Sequence, residues 1–411
     1  MTNKSNHKRV VVTGMGATTC LGTGVEKTWA GVKKAETGIG PITCFDDSSL
    51  HIHIAGEVKD FDLRKDLRSN AIFRGDRYSH LAGIAAQEAI DQSGLETPFV
   101  DGEKAACIVG SGIGGLTTME ESYHSLFVEK KKATNPLTLL KTIASSAAAH
   151  VSIEYGIKGP CFATVSACST ATHAMGLVFD MIRHGQISLG VAGASEAVLC
   201  FGSLRAWQAL HVLSPDGCRP FSKNRNGTVL AEGAGILVFE DYDYAKARGA
   251  KIYGEVLGFA MTSDAGDMVN PDIHGPTNAM KLALESARLA PSDIDYINAH
   301  GTATKINDSN ETRAIRKVFG AEADRIPVSS TKAMHGHCLG AGGAIESTIC
   351  LKAIEENFLP PTLGLDEADP ECDLDYVPNE GRNAEVNYVM CNSFAFGGLN
   401  ATIVFGPSPD A

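Results

Sequence analysis

One pattern recurs along this chain and restricts its fold more than any other feature. A short apolar run stops at a glycine-bearing polar turn, and helical periodicity follows. Arg9 to Thr13 (RVVVT) runs into GMGATTCLGTG and then a predicted helix, Val25 to Lys34. Ala105 to Gly110 (AACIVG) ends in SGIGG. Ile294 to Ala299 leads to NAHGTATKIND and a helix over Ser309 to Phe319. Pro327 to Thr331 ends in SSTKAMHGH, before a helix over Ala341 to Glu355. Val386 to Asn392 ends in SFAFGG, before a last strand, Asn400 to Phe405. Near-continuous apolar strands are the kind buried on both faces. Their alternation with helices makes the class α/β. Both halves carry such strand ends, which points to a duplication, although no repeat is legible residue by residue.

The stretch Gly159 to His173 (GPCFATVSACSTATH) is a special case of the pattern. An apolar, small-residue run, Phe162 to Ala167, delivers Cys168 to what reads as the first residue of a helix. Unpaired N–H groups and a partial positive charge gather at a helix N-terminus. Both lower a cysteine pKa, so Cys168 is a candidate nucleophile.

Composition removes several alternatives. Net charge is −12, from 36 Lys+Arg against 48 Asp+Glu, which argues against nucleic-acid binding. No run approaches the length of a membrane helix, and the polar N-terminus lacks a signal-peptide core, so a cytoplasmic protein without membrane insertion is expected. The eleven cysteines are scattered and without a CxxC pair. They read as reduced and mostly buried, and no metal site is expected. The glycine-rich turn after RVVVT lacks the GxGxxG spacing of a dinucleotide site. Asn226-Gly227 is a hairpin signal.

Cys168, His300, Lys332 and His337 all fall at predicted strand C-termini, where α/β folds gather active sites. A thiol, two histidines and a lysine there suit nucleophilic chemistry on an acyl group. The Cys-then-His order also occurs in papain-like proteases, but the local signature of that family is missing.

The ordered set VVVTGMGATTCLG, VGSGIGG, VSACSTATHA, CRPF…EGAGILVFE, NAHGTATKIND, SSTKAMHGHCLGAGGAIE and NSFAFGG resembles β-ketoacyl-acyl-carrier-protein synthases of the elongating type, almost end to end. The resemblance implies a duplicated thiolase fold of five layers, αβαβα. Residues 1–250 then form the half with the nucleophile, and residues 251–411 the half with both histidines. It implies acyl transfer to Cys168 and decarboxylative Claisen condensation with a malonyl-carrier protein. His300 and His337 then act on the malonyl thioester, Lys332 orients the second histidine, and Glu346 joins that network. The N–H groups of Cys168 and Phe396 match an oxyanion hole. Thr302 and Thr304 match pantetheine-binding hydroxyls. Ile113, Trp207 and Phe394 match positions around the acyl pocket, and Phe396 matches the gate. Lys65, Arg68, Lys130 and Lys131 (with Lys132) match a basic patch for an acidic acyl carrier protein. No cofactor is implied beyond the carrier's phosphopantetheine.

The same resemblance implies a homodimer, with a heterodimer of related subunits as the alternative. The usual glycine and threonine of the gating loop are Ala395 and Leu399 here, and Trp207 replaces a smaller aromatic. These departures leave ordinary fatty-acid elongation open against an aromatic-polyketide, aryl-polyene or nodulation-type ketosynthase. A non-catalytic partner subunit is the reading from another class. Intact Cys168, His300 and His337 argue against it.

Overall fold

The computed structural model describes residues 7–68 and 72–410. Ten strands form one sheet path. The first five are β1 (Val10–Thr19), β2 (Ala105–Gly110), β3 (Cys161–Phe162), β4 (Leu189–Glu196) and β5 (Gly233–Asp241). The second five are β6 (Gly254–Ser263), β7 (Tyr296–Asn298), β8 (Val328–Ser329), β9 (Val389–Ala395) and β10 (Leu399–Gly406). Their order is β3-β2-β4-β5-β1-β6-β10-β9-β7-β8. Numbered within its own half, each set of five reads 3-2-4-5-1 from the outer edge inward. In both, the 3-2 and 2-4 pairs are parallel and the 4-5 and 5-1 pairs antiparallel. The duplication invisible in the residues is thus explicit in the topology. The two sets of strands join where Val10–Val12 of β1 pairs with Gly254–Val256 of β6.

The helices complete the layers. On one outer face α1 (Arg77–Ser93) packs on β1, β5 and β4. Opposite, α3 (His274–Ala287) packs on β6 and β10, with α4 (Lys305–Phe319) beside it. In the middle layer lie α2 (Thr170–Arg183) and α5 (Gly342–Glu356), in contact with each other and with strands of both halves. A helix covered all round is apolar except where a buried partner satisfies a polar side chain. Residues Gly342 to Ile354 of α5 are buried without a break. Each middle helix follows the third strand of its half. Cys168 and His337 precede these two helices, so the duplication carries both to one place.

Several expectations about local structure need correction. The strand after Arg9 does not stop at Thr13; GMGATT continues it to Thr19, with a bulge between Val12 and Gly14. The glycines are there because α1 crosses at contact distance. A Cβ at Gly14 would lie 2.0 Å from the Ala89 carbonyl oxygen, and one at Gly16 would lie 1.9 Å from that of Ala85. Backbone cannot yield as a side chain can. Gly16→Ala is therefore expected to lower unfolding free energy by about 1–3 kcal/mol in urea titration. An unchanged midpoint and slope would contradict this close-packing account. Asn226-Gly227 forms no hairpin: Gly227 has φ 138°, and Thr228 bridges Leu213 in parallel. All eleven cysteines are free, but Cys44 and Cys161 are exposed rather than buried.

Candidate active site

Cys168 is not the first residue of the helix, as the sequence pattern predicts. It sits in a 3₁₀ turn, Ala167–Ser169, just before α2, and strand β3 ends six residues earlier at Phe162. Ala167 holds the turn with φ 47°. Hydroxyls brace it: Thr170 Oγ1 donates to the Ala167 carbonyl (2.8 Å) and accepts from the Ser166 N–H (2.9 Å).

Three side chains converge on a cavity of about 420 Å³. Cys168 Sγ lies 3.1 Å from His337 Nε2. The rings of His300 and His337 meet edge to face, centroids 5.5 Å apart. Donor atoms of the three residues lie within 4.8 Å of one another, the one such metal-capable set among the described residues. The Nδ1 atoms of both histidines are buried without a partner among the described residues, so no neighbour locks either tautomer.

Burial decides the charge states. Both imidazoles are pushed well below the ordinary histidine range, by burial first and by the Lys332 charge second. Burial pushes the Cys168 thiol up to about 12, against the pull of Lys332. The expected lowering by a helix terminus is thus overridden, and the resting pair is a thiol beside a neutral imidazole. Nitrogen NMR of histidine-labelled protein, assigned through H300A and H337A, is expected to show neither ring gaining a proton between about pH 8 and 5.5, the span in which an ordinary histidine titrates. Imidazolium at the acid end of that span, at either position, would overturn this.

Lys332 and Glu346 form a buried ion pair, each side chain 1% exposed. Lys332 Nζ also donates to the His300 carbonyl at 2.6 Å. The ammonium therefore holds the backbone of the first histidine and sets the field at both. His335, the other histidine of the HGH triplet, hydrogen-bonds Thr331 Oγ1 at 3.0 Å instead.

The cavity wall divides by chemistry. Thr302 and Thr304 line one part, their hydroxyls 2.9 Å apart. Trp207, Phe394 and Phe396 line another. Trp207 stacks on Phe396 at 5.9 Å and 26°, and the Phe394 ring meets His300 edge-on at 6.1 Å. Phe396 belongs to the turn between β9 and β10, where Gly397 and Gly398 adopt φ 81° and 68°. Among the described residues, the backbone N–H groups of Phe396 and Cys168 donate to no carbonyl of another residue.

Other expected residues lie elsewhere. Ile113 is 40% exposed and is not part of the cavity wall. Lys65, in a short helix (Leu63–Asp66), lies 3.5 Å from Asp62, and Arg68 pairs with Asp91. Lys130 is exposed at φ 57°, and Lys131 lies 2.7 Å from Glu129. Two buried carboxylates escape a reading of the sequence. Glu311 accepts the N–H groups of His300 and Gly301, both at 2.8 Å, and so fixes the histidine's loop. Glu196 ties Gly112 (2.9 Å) to Gly340 (3.1 Å), joining the two halves behind Cys168. Burial pushes each up to about 7, against these donors. The one signal for Glu311 is its place on the inward stripe of α4, with Asp308, Thr312, Ile315 and Phe319.

The comparisons with known proteins decide the family. Residues 7–245 match the model "Beta-ketoacyl synthase, N-terminal domain", and residues 253–366 match "Beta-ketoacyl synthase, C-terminal domain". The chain belongs to the β-ketoacyl synthase family. It is 42% identical over 398 residues to nodulation protein E of Rhizobium sp. (strain N33), covering 97% of this chain and 99% of that one. It is also 42% identical over 406 residues to 3-oxoacyl-[acyl-carrier-protein] synthase 2 of Synechocystis sp., covering 97% and 98%. Among solved structures it superposes on the ishigamide ketosynthase/chain length factor with TM-score 0.93, at 34% identity and 98% and 99% coverage. The fold is the expected thiolase fold, and the chain is a condensing acyltransferase of fatty-acid synthesis or a related specialised pathway. Among the described residues no helix is long and apolar enough to cross a membrane.

Proposed function

We propose that Cys168 carries the growing acyl chain and that His300 and His337 run the condensation. The observation that carries this is the convergence of one thiol and two neutral imidazoles on one cavity beside two unused backbone N–H groups. In the first half-reaction Cys168 sulfur attacks the acyl thioester of a carrier protein. Its proton passes through His337 Nε2 to the departing pantetheine sulfur. The oxyanion rests on the Cys168 and Phe396 N–H groups; removing one such donor costs about 10²–10³ in rate. In the second half-reaction both rings stand as their Nε2–H tautomers, which no partner at Nδ1 opposes, and these N–H groups hold the malonyl thioester oxygen. Carbon dioxide leaves, the enolate attacks the Cys168 thioester, and the cysteine sulfur leaves as a thiolate that takes up one proton from solvent to restore the resting thiol.

Thr302 and Thr304 hold the pantetheine arm, and Phe396 gates the acyl side with Trp207 and Phe394. Ile113, outside this cavity wall, keeps the chain-length position on the substrate side. Lys65, Arg68, Lys130 and Lys131 form the docking patch for an acidic acyl carrier protein. One solved relative is a type II polyketide acyl-carrier protein in complex with its ketosynthase, which supports this partner. Residues 1–250 and 251–411 serve as the two halves of each subunit in a cytoplasmic homodimer. The ketosynthase/chain length factor relative keeps a heterodimer as the second arrangement.

Incubation with a panel of acyl-carrier proteins, followed by intact mass spectrometry, tests the reading. One acyl adduct at Cys168, discharged by malonyl-carrier protein, is expected. Adduct formation elsewhere, or none, would overturn it. The preferred acyl group separates elongation from a specialised pathway.

A further inference from the structure

The run of hydroxyls after Cys168 is larger than bracing the turn requires. Ser169 Oγ, on a fully buried residue, lies 2.8 Å from the Ser393 carbonyl oxygen and 2.6 Å from that of Leu399. A serine hydroxyl has one proton. It cannot donate fully to both carbonyls at once. The two acceptors sit on opposite arms of the β9–β10 hairpin, on either side of the turn that carries Phe396. Further along, in the first turn of α2, Thr172 Oγ1 meets Ser393 Oγ at 2.8 Å. The residue next to the nucleophile is therefore fastened to both arms of the gate.

We propose that Ser169 is a positioning residue that sets the two halves of the oxyanion hole against each other. The inference rests on the reading of Cys168 as the acyl acceptor. Cys168 and Phe396 lie on separate segments, and each contributes one N–H. Ser169 is covalently next to the first and hydrogen-bonded to the strands flanking the second. Its proton can shift from one carbonyl to the other as the turn moves. The gate can then move for an incoming chain while staying tied to the nucleophile's turn.

The test compares acyl transfer, which develops an oxyanion, with alkylation, which does not. Ser169→Ala is expected to slow single-turnover transfer from octanoyl-carrier protein to Cys168 by about 10- to 100-fold, the cost of misplacing a catalytic group. KM is expected to hold, since only a transition-state contact is lost. Alkylation of Cys168 by iodoacetamide is expected to keep its wild-type rate. Ser169→Thr keeps the hydroxyl and is expected to acylate near the wild-type rate. Unchanged acylation in S169A overturns the proposal. So does a matching fall in acylation and alkylation, which marks a structural role, and so does S169T acylating as slowly as S169A. If wild-type Cys168 takes no acyl group at all, the condensing reading itself fails, and a loss confined to the variant is distinguishable from that.

Discussion

Cys168→Ala is expected to abolish condensation, by about 10⁴-fold or more, the scale seen when a catalytic nucleophile is removed. The loss has one cause. Cys168 Sγ is the nucleophile that stands against an imidazole, 3.1 Å from His337 Nε2, whereas the threonine hydroxyls bond each other rather than a base. The same variant is expected to keep the decarboxylation of malonyl-carrier protein, within about tenfold of wild type, since the donors that stabilise the enolate stay in place. The backbones of His300 and His337 do not depend on the thiol: that of His300 is fixed by Glu311 and Lys332, and the N–H of His337 is held by the Val229 carbonyl at 2.7 Å. The measurement is paired, 3-oxoacyl product by mass spectrometry and carbon dioxide release from labelled malonyl-carrier protein. Condensation surviving in C168A would remove the cysteine from the mechanism. Loss of both activities would show that the thiol organises the histidines as well.

How much of the molecule is legible in the sequence depends on the physical range of each signal. Strand runs such as AACIVG are local, so β2 falls where the apolar pattern puts it. Cys168, His300 and His337 are legible because each stands near a strand end in a turn rich in small residues. The shared 3-2-4-5-1 order is not, because pairing between strands distant in sequence leaves no periodicity within either strand. Gly14 and Gly16 look like turn residues, and only the presence of α1 shows that they are contact residues. Glu311 and Glu196 look like ordinary acidic residues. Their burial is decided by backbone N–H groups that come from other segments. The Cys168 thiol departs from expectation for a related reason. The helix terminus is a local signal, while the apolar cluster of Val198, Leu199, Leu204, Leu213 and Leu339 around the thiol is not.

Lys332→Ala is expected to cost about 3–5 kcal/mol of stability at about pH 8, the usual cost of breaking a buried ion pair from one side. Glu346 would keep a buried charge with no cation, and its Oε2 already lacks a partner among the described residues. The pH dependence follows from sign. Burial raises the Glu346 pKa, and Lys332 opposes that rise. Without the lysine the folded-state pKa moves higher still. A carboxyl with a raised folded pKa contributes stability below its unfolded pKa and loses it as pH climbs through the folded value. The deficit of K332A is therefore expected to be smaller in mild acid, at about pH 5.5, than at about pH 8, because its carboxyl takes up a proton more readily than in wild type. Urea unfolding of wild type and variant at both pH values reads the difference directly. The double variant K332M/E346L removes both charges and is expected to recover most of the stability, since apolar replacement of a buried pair is often neutral. It is not expected to recover activity. The His300 carbonyl would still lack its ammonium donor, and the field of Lys332 on both imidazoles would be gone. A K332A protein as stable as wild type in mild alkali would mean that Glu346 is already uncharged in the native state. Activity restored in the double variant would mean that the pair serves the fold alone.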